Sequence, residues 1–112
     1  MKNNNERSMT ATGTCLEDTY NYLYGKKDKD NWVIIHALVY HPKTKTHPHA
    51  VVYNKTEGVI YEVSNNFKDK PVKMPFMLWV ALGNCSNIKQ YTFTEYSKLL
   101  IKHKKWDFFH LL

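Results

Sequence analysis

The chain has 112 residues, which is enough for one domain with a single hydrophobic core. Hydrophobic residues make up 43% of the chain and charged residues 23%, as in ordinary soluble globular proteins rather than disordered ones. The formal net charge of +6 favours acidic partners. The lysines are nevertheless spread along the sequence, as on a solvated surface, and they do not identify a partner.

The sequence shows no signal for a membrane. No apolar run approaches the roughly 18 residues of a membrane span, and the start, Met1 to Arg7, lacks the apolar stretch of a signal peptide. We therefore expect a cytoplasmic protein without membrane association. In that compartment Cys15 and Cys85 do not form a disulfide framework, and both are expected to be reduced thiols.

The first helix is predicted to follow a polar arm. Residues 1–12 are polar and lack periodicity, so we expect an N-terminal arm followed by one domain over residues 13–112. Thr12 or Thr14 can cap a helix, because the apolar residues after them recur at helical spacing. Gly25 is expected to end this helix.

Three consecutive antiparallel strands are predicted next. The stretch from Trp32 to His41 is rich in Val and Ile and apolar on both faces, which is typical of an inner strand. Pro42 to Pro48 is predicted to be a turn. A β-hairpin follows, with one strand from His49 to Tyr53 and its partner from Val59 to Asn65.

The second half of the chain adds helices and one more strand. The predicted elements are, in order, a loop over residues 66–73, a short helix Phe76–Leu82 starting at Pro75, a strand Ile88–Phe93 and a helix from Glu95 to about Lys105 capped by Thr94. Together they predict an α+β fold. A Cys15-bearing N-terminal helix would pack on a three- to four-stranded antiparallel sheet, with a further helix near the C-terminus.

Cys15, His49 and Asn65 occur in the chain order of a cysteine-nucleophile hydrolase. A thiol is a useful nucleophile as a thiolate, which the first turn of a helix favours. An imidazole can carry the proton, and a third group can fix which ring nitrogen bears hydrogen. We therefore take Cys15 as candidate nucleophile, His49 as candidate base and Asn65 as the candidate orienting residue.

The length of the hairpin turn decides which residue can orient His49. With Asn54 opposite Gly58, His49 faces Val63 and Asn65 lies diagonally on the same face. With Tyr53 opposite Gly58, Glu62 lies opposite His49 instead. The sequence leaves both registers open, so Glu62 is the alternative orienting residue.

These segments resemble the core of papain-like cysteine peptidases. The resemblance rests on Gly13-Thr14-Cys15-Leu16, on His49-Ala50-Val51, and on the strand Val59 to Asn65. It also extends to the smaller NlpC/P60 and transglutaminase-like groups. It implies a thiol protease or related hydrolase in which Cys15 is the nucleophile, His49 the general base and Asn65 the orienting residue.

Two features depart from the papain pattern. Papain-type enzymes place the histidine about 130 or more residues after the cysteine, whereas His49 follows Cys15 by 34 positions, which favours a minimal core. Such enzymes also use a glutamine just before the cysteine as an oxyanion donor, and no Gln occurs before Cys15. The backbone N–H of Cys15, helped by Thr10, Thr12 or Thr14, is the expected replacement.

Simpler interpretations exist for the same residues. Cysteine is among the most buried residue types, so Cys15 could simply pack beneath the sheet, as expected for Cys85. His49 could be a strand-edge histidine bonded to a carbonyl. His47 and His49 lie two apart on one strand, but without a second spaced ligand pair they do not predict a metal site.

The favoured function is a minimal cysteine hydrolase, a peptidase or amidase acting on a protein or peptide by acyl-enzyme formation or acyl transfer, without a cofactor. One alternative is a non-catalytic protein-binding accessory domain on the same fold. Another is a basic domain that binds single-stranded nucleic acid through interleaved tyrosines and lysines, which no recognised motif supports. The composition, rich in Lys, Asn and Tyr, also resembles that of bacteriophage accessory proteins, and the oligomeric state stays open.

Overall fold

The computed structural model describes residues 9–64 and 70–112, with side chains from Cys15 onwards. It confirms the α+β class. The helices are α1 (Met9–Tyr24), α2 (Phe76–Leu82) and α3 (Phe93–His103), and short 3-10 turns lie at Lys29–Asn31 and Phe109–Leu111. The strands are β1 (Trp32–His41), β2 (Lys45–Asn54), β3 (Val59–Glu62), β4 (Val72–Pro75) and β5 (Ser86–Tyr91).

The strands form one antiparallel sheet of five strands in the order β4-β3-β2-β1-β5. In the described residues the sheet thus has one strand more than the upper end of the predicted range of three to four. The additional strand is β4, which lies at the end of the predicted polar loop and pairs with β3 from Val59↔Pro75 to Glu62↔Val72. The strand has only four residues, and two of them are Lys73 and Pro75, so no alternating apolar pattern can show in the sequence.

The predicted turn before the hairpin is mostly strand. β2 begins at Lys45 and pairs with β1 through Pro48, which lies opposite Leu38. Proline is tolerated in strands where an edge is open, because it lacks an N–H for the ladder. The pairing of β2 with β3 runs only from Val52 to Asn54, so Pro48 lies on the part of β2 beyond it.

Helices cover both faces of the sheet. On one face, α1 and α3 contribute Leu23 and Tyr96 to a core shared with Ile34 of β1. On the other face, Trp79 of α2 packs with Val33 and with further alternate residues of β1 and β2. Burial on both sides explains why β1 is apolar throughout, as predicted for an inner strand.

Two helix starts differ from the sequence prediction. α1 begins at Met9, so Thr12 and Thr14 lie inside it and residues 9–12 of the predicted arm belong to the helix; residues 1–8 lie outside the described part of the chain. α3 is capped by Thr92 rather than Thr94, in a capping box with Glu95. No helix in the described ranges is long and apolar enough to cross a membrane.

Candidate active site

Cys15 lies in the second turn of α1 and is fully buried. The prediction that it opens the helix is wrong, because α1 starts six residues earlier, at Met9. The dipole effect fades beyond the first turn, and only the first four N–H groups of a helix lack an intrahelical acceptor. The helix terminus therefore neither activates this thiol nor leaves the Cys15 N–H available for an oxyanion.

His49 of β2 is bonded on both sides. Its Nε2 lies 2.5 Å from Oε1 of Glu62, and its ring is also hydrogen-bonded to the side chain of Cys15. Because Nε2 is engaged by Glu62, the nitrogen left for the thiol is Nδ1. The imidazole thus joins a sulfur on the helix to a carboxylate at the end of β3.

The thiol meets the imidazole beside β2, past its pairing with β3. Ala50 and His49 are successive residues of β2, so their side chains point to opposite faces of the sheet. Cys15 shares an apolar cluster with Ala50 and is bonded to His49. A thiol that contacts both Ala50 and His49 must therefore lie at the edge of β2, because the two side chains point to opposite faces. The pairing of β2 with β3 ends at Val52, which leaves room there for α1.

The hairpin register brings Glu62 onto the same face as His49. Asn54 pairs with Val59 across the turn Lys55–Gly58, and Val52 pairs with Tyr61. Continuing by one residue sets Glu62 against Val51, which shares a face with His49. The carboxylate is therefore a diagonal neighbour of the imidazole, within reach of a long side chain.

This register is neither of the two considered from the sequence. As in the register with Tyr53 opposite Gly58, however, the side chain of Glu62 lies on the same face of the sheet as His49. Asn65, the other candidate, lies outside the described residues. The structure thus brings together Cys15, His49 and Glu62.

Ser64 holds the second oxygen of Glu62. Its Oγ donates to Oε2 at 2.7 Å and its backbone N–H donates to the same oxygen at 3.3 Å. Burial alone would raise the pKa of Glu62, but the hydrogen bonds from His49 and Ser64 outweigh it and lower that pKa below its usual value. The carboxylate stays ionised at neutral pH.

The pKa of His49 moves in the opposite direction. Burial lowers it, but hydrogen bonds to Cys15 and Glu62, together with the negative charge of Glu62, outweigh burial and raise the pKa to about 10. The ring is therefore an imidazolium at pH 7. Its side chain is 16% exposed, so the charge is largely shielded from water.

Ser64 is the site residue that sequence reasoning missed. It follows Glu62 by two positions, just beyond the end of β3. A hydroxyl beside a buried carboxylate at that spacing was the available signal. It was hidden because the orienting role had been assigned to Asn65, one residue further on.

The other candidates lie elsewhere. The Cys85 thiol contacts the Trp79 carbonyl oxygen at 3.7 Å, and burial raises its pKa. His47 is bonded through Nδ1 to the carbonyl of Lys45. Neither cysteine forms a disulfide. Within residues 9–64 and 70–112, no group of three or more His, Cys, Asp or Glu side chains is placed to hold a metal ion.

Comparisons with known proteins add no assignment: no protein-family model, no curated protein and no solved structure matches the chain. Any functional conclusion therefore depends on the geometry of the site itself.

Proposed function

We propose that the protein is a cysteine hydrolase in which Cys15 is the nucleophile, His49 carries the proton and Glu62 orients His49. The observation that supports this is the imidazole bonded at once to a thiol and to an anchored carboxylate. Nucleophile, base and orienting group in contact are the geometric signature of covalent catalysis. A cysteine that merely packs in a core needs neither neighbour.

The raised pKa of His49 sets the starting state. An imidazolium beside a thiol favours the thiolate, which is the reactive form of cysteine. Glu62 balances the imidazolium charge and fixes the ring through Nε2, leaving Nδ1–H directed to sulfur. Ser64 keeps the carboxylate in place. The resting pair is then Cys15 thiolate and His49 imidazolium.

The reaction follows from that pair. The thiolate attacks the carbonyl carbon of a peptide or related amide, the C–N bond breaks, and the amine leaves with the proton of His49. The neutral imidazole next takes a proton from water, whose oxygen attacks the thioester and releases the acid and the thiolate. An amine in place of water would give acyl transfer instead. These reaction steps require no cofactor.

Alkylation of Cys15 across pH tests the proposal. Iodoacetamide is added to protein with Cys85→Ser as the background, and modification of Cys15 is followed by mass spectrometry. The variants are His49→Ala and, as a matched control, His47→Ala, which removes a neighbouring histidine from the same strand. We expect Cys15 to be alkylated faster at pH 6 with His49 present than in His49→Ala, because an imidazolium beside the thiol favours the thiolate.

The control and the negative outcome are distinct. His47→Ala should leave the pH profile unchanged, because His47 bonds the carbonyl of Lys45 rather than the thiol. A wild-type pH profile that is unaffected by His49→Ala would mean that no thiolate–imidazolium pair exists. The protein would then be a binding domain on this fold.

A further inference from the structure

The thiol of Cys15 is covered by the chain's own last described residues. Cys15 is 0% exposed, and the apolar cluster that encloses it consists of Leu16, Ala50 and Phe108, with Leu111 packed against it. Leu16 and Ala50 belong to the helix and the sheet. Phe108 and Leu111 come from a separate segment that follows α3.

We call residues 107–112 the cover segment. It pairs with no strand of the sheet and contains a single 3-10 turn, Phe109–Leu111. Its ties to the body of the protein include Tyr96 Oη donating to the carbonyl of Asp107 at 2.8 Å, and His110 Nε2 donating to the carbonyl of Asn87 at 2.7 Å. Side-chain bonds of this kind open locally at a lower cost than a strand ladder.

The Phe108 ring packs against the buried imidazole of His36. The Phe108 ring lies 4.8 Å from that of His36, measured between centroids. His36 is fully buried, and among the described residues neither of its ring nitrogens has a hydrogen-bond partner. A phenyl ring placed there gains contact with neighbouring rings but no polar bond. The space is therefore shaped for an apolar side chain next to the thiol.

We propose that the cover segment occupies the acyl-side pocket of the site, so that a substrate must carry an apolar, preferably aromatic, side chain and must displace Phe108 to reach Cys15. The proposal rests on the proposed hydrolase function. It assigns the substrate class to an aromatic or aliphatic residue next to the scissile carbonyl. In the resting protein, the cover segment therefore blocks access to Cys15.

The first experiment measures access separately from activation. Cys15 alkylation by iodoacetamide is followed in Phe108→Ala and Leu111→Ala, again with Cys85→Ser as the background. The comparison is Trp79→Ala, which removes an equally buried ring from the opposite face of the sheet. We expect the two cover-segment variants to react on the order of tenfold faster at every pH. An equal acceleration by Trp79→Ala would show that global unfolding exposes the thiol, and would overturn the proposal.

A measurement on the unmutated cover segment does not depend on the variants folding. Native-state hydrogen exchange compares the amide of Leu111, which donates to Phe108, with amides of β1. If the segment opens locally, the Leu111 amide exchanges faster than the β1 amides and Cys15 alkylation is nearly independent of low denaturant concentrations. If alkylation instead tracks β1 exchange, the segment does not gate the thiol.

The substrate class has its own probe. N-acetyl-phenylalanyl fluoromethyl ketone and its aspartyl analogue are compared at equal concentration. We expect at least a tenfold preference for the phenylalanyl probe, and equal rates would overturn the assigned class. Failure of the proposed function appears differently, as a pH midpoint unaffected by His49→Ala, whereas failure of the cover leaves that midpoint intact and removes only the access effect.

Discussion

Oε1 of Glu62 lies 2.5 Å from Nε2 of His49, although the pairing of their two strands, β2 and β3, stops at Val52, three residues short of the histidine. The contact thus ties β2 to the end of β3 by side chains where the backbone ladder has ended. It also gives the imidazole a fixed negative neighbour. Variants of Glu62, of Ser64, of the buried His36 and of the Thr92 helix cap test these assignments.

Glu62→Gln should keep the shape of the site and remove its negative charge. A charge-assisted hydrogen bond contributes about 1.5–3 kcal/mol, so the rate of Cys15 alkylation at pH 6 should fall about ten- to hundredfold. The pKa of His49, raised to about 10 in the wild type, should move down toward its ordinary value. An NMR titration of the His49 ring measures this directly, and an unchanged titration would show that Glu62 does not hold the imidazolium.

Ser64→Ala should have the same effect in weaker form. The backbone N–H of Ser64 still reaches Oε2 of Glu62 after the hydroxyl is lost. We expect the pKa of Glu62 to rise and alkylation at pH 6 to fall roughly fivefold, equivalent to about 1 kcal/mol. Ser86→Ala, at an exposed position of β5, is the control and should change neither. Equal behaviour of the two variants would remove Ser64 from the site.

His36 should make the fold sensitive to acid. Burial first, then the nearby charges of His110 and His49, lower its pKa from 6.5 to about 3. Because the unfolded chain binds this proton more readily than the native chain, stability is fully present above pH 6.5 and falls as pH drops toward 3. The loss is at most about 5 kcal/mol. The side chains of Tyr91 and Tyr96, which also face the ring, do not ionise in this range.

Urea unfolding of wild type and His36→Phe between pH 7 and 5 measures this effect. As pH falls, the unfolding free energy of the wild type should decrease relative to that of His36→Phe. The window lies above the range in which Glu62, with its lowered pKa, loses its charge. A pH-independent difference would mean that His36 titrates normally in the native state.

Thr92→Ala should destabilise α3 more than Thr94→Ala. The Thr92 hydroxyl accepts from the Glu95 N–H at 3.0 Å, and the Glu95 carboxylate accepts from the Thr92 N–H at 2.9 Å. Loss of such a cap costs about 1 kcal/mol. Thermal unfolding of both variants gives the comparison. If Thr94→Ala were the more damaging of the two, the helix would start where the sequence pattern alone suggests.

Local patterns predicted much of this fold. The β1 strand was visible as a run of Val and Ile, and α2 was bounded correctly from Pro75 and Gly83. The start of α1 was not predictable, because Thr12 and Thr14 look like caps and only tertiary context overrides them. The strand β4 was missed because four residues are too few to show a period.

The candidate site was predicted in part. Cys15 and His49 were identified from their order in the chain, and the structure brings them into contact. The identity of the third residue depended on the register of the hairpin. A one-residue slip moves every side chain of a strand to the other face, so the sequence left both Asn65 and Glu62 as candidates. The burial of the thiol under Phe108 could not be foreseen, since it joins segments 93 residues apart.

The His49–Glu62 contact lies within a single hairpin, whereas the third residue of the site, Cys15, comes from α1. These two residues are only 13 apart in sequence, so their contact needs nothing beyond β2, the turn and the chain through Glu62. Cys15 arrives only when α1 docks against that hairpin. Short loops close at lower entropic cost than long ones. The thiol–imidazole pair therefore forms only when α1 docks, so the reactivity of Cys15 during refolding reports helix docking, whereas the His49–Glu62 contact forms within the hairpin itself.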